Sequence, residues 1–235
     1  MFRERTERRS CRTAAALFAL FLSISPASRA QDEDPRQAWK ELNSRVVAAY
    51  QAGDYADATA LAEQALALAR RSFGEEDSDT VTSMNNLAAL YRSQGRYGDA
   101  EPLYVKCLET WRRVLGEEHP DTLVSMNNLG ALYESQGRYA DAEPLYVRCL
   151  ETMRRVLGED HPGTLTSTNN LAMLYYSQGR YGDAGGLYVK CLETMRRVLG
   201  EDHPDTLTSM NNLAALYRSQ GRYGEAEPLY VRCLE

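Results

Sequence analysis

The chain has 235 residues, 43% of them apolar, with a mean hydropathy of −0.50 and a formal net charge of −6. Its 16 glycines and 8 prolines are too few for a disordered or fibrous protein. The acidic balance, with no basic stripe, argues against nucleic acid as a partner, because that binding needs Lys and Arg clustered on the phosphates.

Residues 1–30 differ from the rest. MFRERTERRSCRT carries five arginines, AAALFALFLSI is a short apolar run, and SISPASRA ends in small residues. This order predicts a secretory signal peptide cleaved after Ala30. The apolar run is about a dozen residues, short of the ~20 that span a bilayer, so no stable membrane span is expected. An uncleaved anchor is the alternative. Cys11 precedes the apolar run and is not placed as a lipid acceptor. Loss of the leader removes six Arg and two Glu, leaving 21 basic and 31 acidic residues and a net charge near −10. The expected location is secreted or periplasmic, with residues 31–35 as a short linker.

From residue 36 the chain repeats. TSMNNLAALYRSQGRYG runs over 82–98 and again over 208–224, and steps of 42 residues link Asn85, Asn127, Asn169 and Asn211, or Cys107, Cys149, Cys191 and Cys233. A looser copy, YQAGDYADATALAEQAL, places Gly53 one step before Gly95. Five units follow, at about 36–76, 77–118, 119–160, 161–202 and a truncated 203–235. A fixed period of this length signals a solenoid.

The third unit shows the elements. Met126, Leu129, Gly130 and Tyr133 fall on one helical face. Asp121 or Thr122 is placed to cap that helix and Gly137 to end it. A second helix should begin near Tyr139 or Ala140, with Pro144 in its first turn. Its apolar stripe is Ala142, Leu145, Tyr146, Cys149, Leu150, Met153 and Leu157. Each unit is thus two antiparallel helices, and only stacking makes their core continuous. Identical exposed letters such as SQGR are most simply explained by recent duplication.

The pattern NNLxxLYxxQGxYxxAExLYxxxLExxxxxLGxxHPxT resembles the 42-residue tetratricopeptide repeat of kinesin light chains. Leu129, Gly130, Tyr133, Gly137, Tyr139, Ala142, Tyr146 and Cys149 match its small and large positions; Met84, Met126, Thr168 and Met210 replace the tryptophan of the shorter consensus. The resemblance implies an all-α, right-handed α-solenoid over residues 36–235. It also implies that the first helix of each unit lines a concave groove, and that groove asparagines hold peptide.

Other constellations carry less. Cysteines one repeat apart should lie ~8–10 Å from each other, beyond the ~7 Å a disulfide bridges, and read as buried reduced thiols. His119, His161 and His203 are spread one per unit, too far apart for a shared zinc ion with ~2 Å bonds. No metal, no cofactor and no catalytic constellation is expected.

The asparagine pairs stand out: Asn85 and Asn86, Asn127 and Asn128, Asn169 and Asn170, Asn211 and Asn212. Asn is a mediocre helix former, yet each pair is mid-helix. A helical wheel puts Val124, Asn127, Asn128, Ala131, Glu134 and Ser135 opposite the buried stripe. The groove should be floored by Ala89, Ala131, Met173 and Ala215 and walled by the amides. Arg92, Glu134, Tyr176 and Arg218 vary at one matching position, of which Arg92, Tyr176 and Arg218 join the amides as candidate peptide contacts. A carboxamide offers both a donor and an acceptor to an extended backbone. The competing reading is an amide ladder between units.

These residues predict an exported scaffold that binds an extended peptide or a partner protein. The alternative comes from a resemblance: a signal-bearing repeat array of this kind is similar to the front part of bacterial proteins that carry a CHAT-type caspase-like protease domain, which would make the chain the regulatory arm of a larger enzyme. Glu235 falls inside a second helix with no polar capping helix after it, so continuation or self-association through that end is a further expectation.

Overall fold

The computed structural model describes residues 34–234; the expected leader and Gln31–Glu33 of the linker lie outside the described residues. Ten α-helices, and among the described residues no strand, follow in order: α1 (Pro35–Gln51), α2 (Tyr55–Phe73), α3 (Ser78–Ser93), α4 (Tyr97–Leu115), α5 (Pro120–Ser135), α6 (Tyr139–Leu157), α7 (Pro162–Ser177), α8 (Tyr181–Val198), α9 (Pro204–Ser219) and α10 (Tyr223–Leu234). Every helix packs on the next, as an all-α repeat solenoid requires. The odd helices also touch at α3–α5, α5–α7 and α7–α9, whereas no even helix touches the next even one among the described residues. Two rows on one curved stack differ in this way when the closer row is the inner one. The first helices therefore form the inner face.

Each turn within a unit is built the same way. Gly137 adopts φ +72°, which a residue with a Cβ rarely does. Its N–H bonds the Glu134 carbonyl at 2.9 Å, and the Arg138 N–H bonds that of Tyr133 at 2.8 Å, closing the helix end. Arg138 then lies 4.1 Å over the Tyr133 ring, as Arg96 lies over Tyr91 and Arg222 over Tyr217. So the repeated SQGR letters have work in the fold. Gln94 donates to Thr59 at 2.7 Å, Gln178 donates to Glu143 at 3.2 Å, and the arginine covers the helix end.

Two local expectations are corrected. The cap of α5 is His119, not Asp121 or Thr122: its Nδ1 accepts from the Asp121 N–H at 3.2 Å. His161 and His203 do the same, and Asp77 takes that place in the second unit. The following proline fixes the first helical residue, so the residue before it is left extended and free to cap. Pro144 is the sixth residue of α6, not in its first turn, and Pro102 and Pro228 sit likewise. Each leaves one carbonyl without its intrahelical partner.

The core is a column of repeat-equivalent side chains. Ala100, Ala142 and Ala184 are fully buried, with Tyr104, Tyr146 and Tyr188 beside them. Cys107, Cys149 and Cys191 are buried free thiols that donate to the carbonyls of Val81, Leu123 and Leu165. Burial pushes the Cys107 thiol up to about 12 and those of Cys149 and Cys191 to about 11. Thr168 replaces a core methionine and satisfies its hydroxyl on the Thr164 carbonyl at 2.8 Å.

Units are also joined by ion pairs on the outer edge, Arg113–Glu76 at 2.8 Å and Arg155–Glu118 at 2.7 Å. Near the turns, Arg138 reaches back to Glu101 at 2.9 Å and Arg180 to Glu143 at 2.8 Å. The matching position before Arg222 is Gly185, so Arg222 pairs within its own unit, with Glu225.

Candidate functional site

The inner face is a row of first helices, and its chemistry is set by what each unit places at the same positions. The asparagine pairs do not behave as one set. Asn128 Nδ2 donates to Asn85 Oδ1 at 2.8 Å, a rung between the second and third units. Asn127, placed by the wheel on the open side, is instead 8% exposed and accepts from Ser167 Oγ at 3.4 Å. The wheel treats the helix as isolated; here α7 covers that flank of α5. Asn169 Oδ1 is buried with no partner. The second members Asn86, Asn170 and Asn212 are half-buried, while Asn211 is exposed. Rungs therefore form at some junctions, not as a continuous ladder.

Along the inner face one position varies from unit to unit. Arg92 and Tyr176 are half-buried and Arg218 is exposed. Tyr176 donates to or accepts from Ser219 at 2.8 Å and lies 5.6 Å from the Tyr181 ring. The third unit carries Glu134 at this position, a residue not expected among the peptide contacts. Glu134 Oε2 accepts from the Tyr146 hydroxyl at 3.1 Å and Oε1 from Ser177 at 3.2 Å. Burial holds its carboxyl above the usual carboxylate range, against those two hydroxyls and the nearby charge of Arg92.

Gly130 explains how Tyr146 reaches it. A Cβ on Gly130 would stand 2.9 Å from Tyr146 Cε1, so the ring occupies space that Ala88, Ala172 and Ala214 fill in the other units. Tyr188, beside an alanine, turns instead to the Met173 sulfur at 3.7 Å. The sequence held this signal: glycine and glutamate depart from the repeat together, four residues apart on one helix.

A second feature was missed in the divergent first unit. A hollow of about 440 Å³ opens between α1 and α3, lined by Val46, Val47, Tyr50, Ala89, Leu90 and polar side chains including Asn86 and Arg92. Val47 and Tyr50 are 54% and 47% exposed. They lie one repeat step before Ala89 and Arg92, so the 42-residue period, carried back one unit, points to them. Among the described residues no three His, Cys, Asp or Glu side chains converge as a metal site.

A family profile described as tetratricopeptide repeat matches residues 37–109, 85–155, 126–185 and 168–235. The chain belongs to the tetratricopeptide repeat family. Within that family it is of the kinesin light chain type. A Podosopora anserina protein described as a kinesin light chain with nearly identical TPR-like repeats is similar at a TM-score of 0.68. It is 25% identical, over 86% of this chain and 95% of that one. BtubC (BKLC) from P. vanneervenii is similar at a TM-score of 0.69 and 26% identity, over 85% of this chain and 81% of that one. A Rap protein complexed with Competence and Sporulation Factor shares the fold at a TM-score of 0.71 and 12% identity, over 86% of this chain and 55% of that one. No curated protein matches the chain. Tetratricopeptide repeats of this kind are typically non-catalytic, and this array is a protein–protein interaction scaffold.

Proposed function

We propose that the array is exported and holds an extended peptide, or an extended segment of a partner protein, along its inner face. The observation that carries the peptide reading is the set of half-buried amides Asn86, Asn170 and Asn212. They make no hydrogen bond among the described residues and sit beside small residues, Ala89 and Ala215 among them. A polar group held half out of water without a partner is poorly placed for stability and well placed for a backbone N–H or C=O. The fold is one in which a neighbour has been solved bound to a factor. Export rests on the arginine-rich start and apolar run of residues 1–30.

The test uses an array of acetylated, amidated random dodecapeptides. The double variant Asn86→Ala/Asn170→Ala should bind retained peptides about one to two orders of magnitude more weakly, from two lost bonds of ~0.5–1.5 kcal/mol each. Its melting temperature should hold or rise, because Ala is the better helix former. A lower melting temperature with unchanged binding by the folded fraction would show that these amides serve packing alone.

A further inference from the structure

The third unit is built to present a carboxylate. Gly130 lets Tyr146 lean inward, Tyr146 and Ser177 each donate one hydroxyl to Glu134, and no cation among the described residues forms an ion pair with it. A carboxylate has about four lone-pair directions, and two neutral donors leave the others unfilled. One unit earlier, Arg92 stands at the matching position, half-buried and without an ion pair. The two charges share the inner face and lie near enough for Arg92 to act on Glu134, yet they form no ion pair.

We propose that Glu134 and Arg92 together select an extended peptide carrying a cationic and an anionic side chain three residues apart. This rests on the peptide reading above and adds the chemistry of the ligand. Packed helices repeat every ~8–10 Å. A polyproline II strand rises ~3.1 Å per residue with three residues per turn, so residues i and i+3 lie ~9 Å apart on one face. A Lys or Arg can then reach Glu134 while an Asp or Glu reaches Arg92. Burial disfavours the ionised Glu134 in the free protein, and a ligand cation relieves that penalty.

The experiment again uses acetylated, amidated dodecapeptides on an array, random except for two central positions three apart. Those positions carry Asp and Lys in either order, two Lys, two Asp, or two norleucines. The native chain should retain Asp/Lys peptides in one order about tenfold better than Asp/Asp or norleucine peptides, as a charge-assisted bond implies. Glu134→Gln should lose the preference for Lys while still binding norleucine peptides. Arg92→Glu/Glu134→Arg should prefer the reversed order. Arginine stands at this position in two units, so the swap respects the fold, and thermal unfolding of each variant checks that it does. Retention independent of the fixed pair, or a Lys preference that survives Glu134→Gln, overturns the inference and leaves the peptide reading standing. Retention of no peptide class overturns both.

Discussion

Gly185→Glu should lock the junction between the fourth and fifth units. At the two preceding junctions, a glutamate in the first turns of the second helix receives the arginine of the next turn: Glu101 from Arg138 at 2.9 Å, and Glu143 from Arg180 at 2.8 Å. Gly185 deletes that glutamate, although Arg222 lies over Tyr217 at 4.1 Å as its counterparts do. The space is available, since a Cβ at Gly185 would meet only Leu216 Cδ2 at 3.4 Å. Removing a helical glycine contributes roughly 0.5–1 kcal/mol. An exposed ion pair adds about 0.2–1 kcal/mol. The sum is about 1–2 kcal/mol, or roughly five- to thirtyfold in a local opening constant at ~1.4 kcal/mol per tenfold. In a repeat array such a gain stays near its junction. Amide exchange should therefore slow in α8 and α9 and remain unchanged in α3 and α4. Gly185→Gln separates the parts: it keeps the helix gain and loses the charge, and the Glu-over-Gln increment should shrink at 1 M salt. Exchange in α8 and α9 equal to the native chain's, or slowed equally in α3 and α4, would refute the junction argument.

Other outcomes can be checked with the same protein. Cys233, half-exposed, should react with a thiol reagent in the folded state, whereas Cys107, Cys149 and Cys191 should react only on unfolding, as time-resolved mass analysis would show. Because burial raises the three buried thiols to about 11–12 from an ordinary value of 9.0, the folded chain keeps protons the unfolded chain releases. Their contribution is whole below pH 9 and should be lost progressively above it, seen as a falling denaturant midpoint in alkali. Glu134 is raised likewise, so its contribution is present in acid and lost as the pH rises through its folded value; Glu134→Gln should raise the melting temperature at pH 7 more than at pH 4. Exported material should begin near Gln31, and intact Met1–Ala30 on it, by mass analysis, would contradict cleavage.

The helix pairs, their turns and the buried stripe were legible because each rests on short-range physics repeated several times over. Gly137 must take a positive φ wherever that turn recurs, and Tyr146 and Cys149 recur at 42 residues because the same neighbour covers them each time. The caps were less legible. Asp and Thr are the usual N-caps, but the helix starts at the same repeat position whether that residue is Ser78 or Pro120, so the task falls to the residue before it, Asp77 in one unit and His119 in the next. Asn127 was misplaced for a longer-range reason. A wheel knows one helix, and α7 buries a flank that α5 alone would expose.

The inner face was least legible where the repeat is broken, and that is where a repeat protein can become particular. Identical letters offer the same chemical groups in every unit, such as amides that suit any backbone, even where their partners differ. Selectivity has to enter through positions freed from the repeat: Arg92, Glu134, Tyr176 and Arg218 on one line, with Tyr50 one unit before them. These substitutions are not independent of the core. Glutamate at 134 is held by a tyrosine that every complete unit carries, and that tyrosine reaches it because alanine has become glycine at 130. A helix-weakening glycine and a half-buried acid each work against stability. Found together, oriented by one shared side chain on the inner face, they make sense as a site for a cation that pairs directly with Glu134, which Arg92 nearby does not do.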